Sequence, residues 1–401
     1  MTAMSGRPGS RARRDAGAVA RILVWTIAGY PLLGMLVTYT SAPSFAASIP
    51  VRLIVLATSV WLLIRLPQSP ARGWGRLLMV FWAIYGLRLA ADLATGVPGT
   101  PFDVLFFGAT ALLPGLAVSR VPCQRWDEDR IARSLATFGL VTAGAALLSA
   151  VLPFAQDRSL LEETGRLSFD TVNPITLGHI AVSTLISISV LVGRRGIRAA
   201  PWLLGVPLAL ALLQAGASRG PVVALAGVGL AWVFFSRGSA RRLIALGAIA
   251  LLSLGSLGVL AADSELVRRF EAIQEDQSTL ERLLMQGNAI QQFLDHPWTG
   301  SAHVELESLT YPHSPVIESA MATGVVGATL FVALTLGLLL SIAARLRRGE
   351  RIVPLLGMQY LIGAQLSGSL FASSEVWVLT AMMLAAPSIA PAPPKDSQGT
   401  R

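Results

Sequence analysis

Charge is scarce in this sequence. Of 401 residues only 14% are charged while 53% are hydrophobic, and the mean hydropathy is +0.61, a balance well outside that of soluble domains. The single cysteine, Cys123, excludes an intramolecular disulfide. No G-x-x-x-x-G-K-[ST] occurs, and Gly227-Val228-Gly229 lies in an apolar run without a second half, so neither a nucleotide-hydrolysing loop nor a dinucleotide fingerprint is present. No polar stretch is long enough to make a soluble domain that would hold a nucleotide sugar. A group transferred by this protein has to reach it from the membrane.

What the chain has instead is apolar runs long enough to cross about 30 Å of hydrocarbon as helix. Twelve are expected, at about 18–40, 49–66, 75–95, 101–119, 134–155, 174–193, 198–215, 220–236, 241–262, 314–344, 351–371 and 374–390. The first is read as a retained span, because no small-residue cleavage site clearly follows it. Open sheets are excluded, since unpaired edges cannot face lipid. The expectation is an all-α polytopic membrane protein of about 12 transmembrane helices. A disordered basic cytoplasmic N-terminus (1–17) leads into spans 1–9 (18–262), one long extracytoplasmic loop (263–313), spans 10–12 (314–390) and a cytoplasmic tail (391–401).

The net charge of +9 does not point to nucleic acid, because the basic residues are spread over short loops instead of forming one face. They sort by side of the membrane. With the N-terminus inside, 24 of the 32 basic residues fall in cytoplasmic segments. Seven fall on the other side (Arg52, Arg158, Arg166, Arg219, Arg268, Arg269, Arg282), and Arg88 lies within a span. By the positive-inside rule both termini are cytoplasmic and the long loop is outside.

That loop holds His296 and His303, and ends at His313. Within it Ser278-Thr279-Leu280-Glu281 is a capping box, which predicts a helix from near 279 to about Asp295, before Pro297. Leu280, Leu283, Leu284, Gly287, Ile290 and Leu294 share one face, with Arg282, Gln286 and Ala289 on the other. The apolar face rests on the bundle or on the membrane surface, and spacing leaves open whether Arg282 meets bulk water or a cavity. His303, Glu305 and Glu307 alternate like a strand edge, too sparsely for a metal site. His296 reads as a turn residue.

Other candidates lie on the same side. Ser218-Arg219-Gly220-Pro221 is a tight turn between apolar spans, where an arginine costs desolvation unless an anion meets it or it snorkels to headgroups. Arg166 precedes Asn173-Pro174, a helix start with Pro in the first turn. His313-Ser314-Pro315 brings a histidine to the mouth of span ten, with Glu318 one turn in, and a helix cap or a general base are its two readings. His179 reads as a packing residue, and Arg88 with Asp92, four apart, as a self-sufficient internal ion pair.

The order of spans, the SRG turn, QGNAIQQFLDHPWTG and HSPVIESAMATGVVG together resemble the O-antigen ligase and polymerase family of bacterial membrane glycosyltransferases, most closely over about 160–340. The resemblance implies a GT-C-type helical bundle in the bacterial inner membrane, with its site on the outer face. It also implies an undecaprenyl-diphosphate-linked glycan donor, a glycan, lipid or protein acceptor, and no cofactor. By the same resemblance Arg219 and Arg282, with Arg166, bind the diphosphate, and His313 assists the acceptor; Glu318 is placed with the substrate-binding residues. No metal is expected, since guanidiniums neutralise a diphosphate. The competing reading, a polytopic transporter or lipid-carrier flippase, predicts two similar halves, which the sequence does not display.

Overall fold

The computed structural model describes residues 10–38, 48–67, 73–123, 126–151, 166–169, 172–235 and 277–386. The expected span at 241–262, the first part of the long loop, the segment 1–9 and the tail from 387 lie outside the described residues.

Helix α1 (Ser10–Val24) passes through a π-helical turn, Trp25–Gly29, into α2 (Tyr30–Thr38). Then follow α3 (Ser48–Arg65), α4 (Trp74–Thr95) and α5 (Thr100–Phe106), the last joined by a second π-helical segment, Phe107–Leu112, to α6 (Leu113–Val118). Next are α7 (Glu128–Val151), α8 (Pro174–Arg195), a 3-10 segment (Gly196–Gly205), α9 (Val206–Ala215) and α10 (Arg219–Phe235). After α11 (Gln277–Asp295) come α12 (Pro315–Arg347), α13 (Ile352–Ser367) and α14 (Ser374–Leu384).

Seven helical runs among the described residues are long and apolar enough to cross a membrane, and the segments 219–235, 352–367 and 374–384 are shorter apolar helices. Among the described residues there is no strand, only two isolated antiparallel bridges. The architecture is that of a polytopic helical membrane protein. The longest run, Pro174–Ala215, is two passes: the chain turns back at Gly196 (φ 58°) until Gly216 lies against the Pro174 carbonyl.

Residues 10–17, expected to be disordered, form the first two turns of α1. Asp15 is buried there against Arg65 at 3.8 Å, and Gly17 packs on Arg130. The arginine-rich sequence that reads as a solvated tail is also a good helix former once its one carboxylate has a partner.

Basic residues clasp the far end of the bundle. Arg194 pairs with Glu128, Arg195 Nη2 meets Asp129 at 2.6 Å, and Glu128 accepts from the Arg351 backbone N–H, which ties α7, α8 and α13 together. The core between is aromatic around Trp377, with Phe81, Trp82, Phe107 and Phe331 packed on it.

At the near end the turn His296–Gly300 docks into a break in α12. Gly324 leaves helical geometry (φ 67°, ψ −166°), and its neighbour Val325 donates to the Pro297 carbonyl at 2.8 Å. A Cβ on Gly324 would lie 2.3 Å from the Trp298 carbonyl oxygen, and one on Gly300 (φ 68°) 2.3 Å from Ala322. Glycine is required at both positions because two backbones touch there. This contact fixes α11 and the loop after it relative to α12.

Candidate functional site

Arg166 sits just ahead of α8, where Leu167 N–H donates to the Ala215 carbonyl at 2.8 Å. Its Nη2 donates to Ser218 Oγ at 2.8 Å and its Nε to the Gly216 carbonyl at 3.4 Å. It therefore braces the turn that presents Arg219, a turn that includes Ala217 at φ 40°, an unfavourable backbone for a residue with a Cβ. α8 itself starts as its sequence demands, with Asn173 accepting from Thr176 N–H at 2.8 Å and Pro174 in the first turn.

Arg219 opens α10 and donates to Thr279 Oγ1 at 2.8 Å, in the first turn of α11. Three residues on, Arg282 donates to the Leu366 carbonyl at 3.2 Å, at the end of α13. The polar face of α11 faces the bundle and the apolar face faces outward: Leu283 and Leu284 are 59% and 67% exposed, while Ala289 is buried. Arg282 thus lines a cavity between α11 and the bundle.

His313 has φ 56°, lies edge-on to Tyr311 at 4.6 Å between ring centres, and turns Nδ1 toward the Ser367 carbonyl at 3.5 Å. With the proton on Nδ1, Nε2 carries the lone pair. Burial and then the Arg282 guanidinium push its pKa below the ordinary histidine value, against a smaller upward pull from the Ser367 carbonyl. The imidazole is neutral at neutral pH, the state that accepts a proton.

These residues line two adjoining cavities, of about 400 Å³ and 300 Å³. Arg166, His179, Arg282, Gly363 and Ser367 belong to both; Arg219 borders the smaller and His313 the larger. Four of the five expected site residues, Arg166, Arg219, Arg282 and His313, are thereby brought to one cleft. Glu318 lines neither cavity. It is fully buried in the first turn of α12, accepting from Tyr85 Oη at 3.0 Å and from Leu370 N–H at 2.9 Å. Both oxygens are engaged in joining α4, α12 and the segment after α13, because a carboxylate in the bundle has to be satisfied internally.

His303 is a residue whose part spacing could not reveal. It is buried between two aspartates, with its backbone N–H and Nδ1 each 2.8 Å from Asp92 Oδ2 and its Nε2 3.0 Å from Asp103 Oδ2. Arg88 Nη2 lies 2.5 Å from Asp92 Oδ1. The Arg88–Asp92 pair is therefore not self-sufficient: its second carboxylate oxygen pins the loop. Burial pushes the His303 pKa down, but hydrogen bonds to Asp103 and Asp92 outweigh it and hold the value at about 9. Arg88, Asp92, His303 and Asp103 make a charge-balanced quartet.

The expected strand edge at 303–307 is instead a turn. Glu305 accepts from Glu307 N–H at 2.7 Å and Ser308 N–H at 2.8 Å, and Glu307 takes Asn288 Nδ2 of α11 at 2.9 Å. His296 stands exposed in its turn. His179, expected to be a packing residue, stacks on Tyr360 at 5.7 Å yet also lines the cleft, with Nδ1 lacking a hydrogen-bond partner. Tyr311 and Glu375 also line the cleft without having been expected there.

A comparison with family models adds one finding. Residues 204–332 match the family model Wzy_C, described as O-antigen ligase. No curated protein matches the chain closely enough to say more. The matched stretch runs from Leu204 in the 3-10 segment to Val332 in α12, so it contains Arg219, Arg282, His303, His313 and Glu318, while Arg166 lies ahead of it. The apolar helices make the protein a multi-pass membrane protein, and the matched stretch is similar to O-antigen ligases.

Proposed function

We propose that this protein is a GT-C-type membrane glycosyltransferase that moves or polymerises glycan from an undecaprenyl-diphosphate-linked donor onto an acceptor hydroxyl, at the outer face of the bacterial inner membrane. The observation that carries the reading is the convergence of Arg166, Arg219, Arg282 and His313 on one cleft from four separate segments. Such a cleft matches the chemistry of the transfer. The diphosphate leaves with its bonding electrons, so the protein has to bind the charge that develops on it and remove one proton from the attacking hydroxyl.

Arg219 and Arg282 are suited to the diphosphate because a guanidinium meets phosphate oxygens through two parallel hydrogen bonds and stays charged at any working pH. Arg166 braces the turn behind Arg219 and borders the same space. His313 Nε2 takes the hydroxyl proton as the oxygen bonds to the anomeric carbon. On this reading no divalent cation is needed.

The test is transfer by the purified protein in nanodiscs, given an undecaprenyl-diphosphate-linked glycan in chelator. Product formed with release of undecaprenyl diphosphate supports the reading. Movement of the intact donor across the bilayer without product would make the protein a carrier flippase instead.

A further inference from the structure

A third cavity, of about 400 Å³, adjoins the cleft: Ala372 and Glu375 line both. Its remaining walls come from the first helical run, α3 and the α5–α6 run. None of the residues expected at the site borders it.

Three observations mark this space as built to hold something. Arg52, in the second turn of α3, faces it, and among the described residues no carboxylate pairs with that guanidinium. Its neighbours are rings, Phe106 at 4.5 Å and Phe102 at 5.5 Å from the guanidinium carbon to the ring centres. Ring faces attract a cation but do not neutralise it, and an arginine near one end of an apolar helix that faces a cavity is placed to meet an anion there. Secondly, both π-helical turns among the described residues border the cavity, through Thr26 in one and Thr110 in the other. A π turn inserts a residue into a helix at a local cost and is frequent at functional sites. Thirdly, Thr26 Oγ1 is buried without a hydrogen-bond partner, whereas Thr110 is occupied, donating to the Phe106 carbonyl at 2.8 Å and accepting from Ser374 Oγ at 2.8 Å.

We propose that this cavity binds the second substrate through an anionic group, a phosphate or carboxylate held by Arg52, with the hydroxyl-bearing part of that molecule reaching past Glu375 toward His313. The inference rests on the proposed transfer reaction and adds the class of its acceptor: an anionic, hydroxylated headgroup. Thr26 supplies a donor to it. Glu375, at the junction of the two spaces, accepts from hydroxyls, so the hydroxyl end faces the cleft while the charged end stays with the Arg52 guanidinium. The two arms of the site then have different occupants, a diphosphate among Arg166, Arg219 and Arg282, and a single anionic group at Arg52.

The test is thermal unfolding of the purified protein in nanodiscs with defined probes. Inorganic phosphate and dihexanoylphosphatidic acid are set against neutral dihexanoylglycerol, and inorganic pyrophosphate serves as the probe for the cleft. The phosphate-bearing probes should raise the midpoint, with an apparent affinity that falls at least about tenfold in Arg52→Gln and persists in Arg219→Ala. A rise with dihexanoylphosphatidic acid alone assigns the site to a lipid headgroup, and a rise with free phosphate as well assigns it to the anion itself. Arg52→Lys keeps the charge and loses the fork, so it should bind with intermediate affinity if Arg52→Gln fails to fold. Equal binding in wild type and Arg52 variants, or no effect of any phosphate probe, overturns the proposal. Failure of pyrophosphate to protect in an Arg219-dependent way would instead remove the cleft reading and leave the Arg52 site standing.

Discussion

Arg219 and Arg282 each donate to a neighbour across a helix junction, Thr279 in one case and the Leu366 carbonyl in the other, so on the proposed reading each is aimed in advance of the diphosphate. Pre-aiming matters more for a planar fork than for a point charge. Arg219→Lys and Arg282→Lys should each lower kcat/KM for lipid-linked donor about tenfold or more although charge is kept; an unchanged value would make them loop scaffold. His313→Ala should cost about a hundredfold or more in kcat, the usual size for loss of a general base. Because burial and Arg282 hold the His313 pKa down, the acid limb of the wild-type pH–rate profile should lie below the ordinary histidine value of about 6.5. An acid limb above that value would contradict the assignment. At this scale the grouping of the arginines and His313 along one cleft was legible in the sequence, because polar groups at the ends of apolar runs are costly and ask for a reason. His303 was not, since its partners Asp92 and Asp103 lie some two hundred residues away and no spacing rule connects them.

Helix α11 carries the clearest difference between periodicity and placement. The capping box puts its start within two residues of where it forms, and Pro297 lies just beyond its last residue, because both signals are local. Which face packs inward is a global matter. The leucines fit either the bundle or the membrane surface, and the bundle takes the polar face: Arg282 enters the cleft, Gln292 Nε2 donates to the Val304 carbonyl at 3.1 Å, and Asn288 holds Glu307. An exposed apolar stripe with Trp298, 76% exposed, just beyond it is suited to lipid at the membrane surface. A bimane attached at Leu284→Cys in a Cys123→Ser background should therefore show blue-shifted emission, quenched by lipids brominated near the headgroup. The same label at Ser308→Cys, exposed in the loop, should emit as in water. Water-like emission at both positions would mean that the stripe faces solvent. The breaks at Gly300 and Gly324 follow the same division: turn residues are visible in sequence, but the contact between two backbones that requires them is not.

For the molecule as a whole, the apolar runs made the class of fold legible, because backbone in lipid has only helices open to it here. They could not show how the loop after α11 is locked down, and that lock has a pH signature. The His303 pKa, raised to about 9 in the folded protein, exceeds the unfolded value near 6.5. Its contribution to stability is therefore complete below about 6.5 and is lost as pH rises through about 9. The unfolding midpoint should fall between pH 7 and about 9.5, and His303→Gln should flatten that fall. A wild-type midpoint constant over that range would show that the quartet does not hold the proton. The same lock bears on orientation, since it fastens the loop of Ser308 to the end of the bundle that bears the cleft, while Arg348 lies exposed beyond the other end of α12. By the uneven spread of arginines the Ser308 end is expected outside. In a Cys123→Ser background, Ser308→Cys should react with a membrane-impermeant thiol reagent in intact cells, and Arg348→Cys only after the membrane is opened. The reverse pattern would put the cleft on the cytoplasmic side, out of reach of a carrier-linked glycan presented outside, and the transfer reading would fall with it.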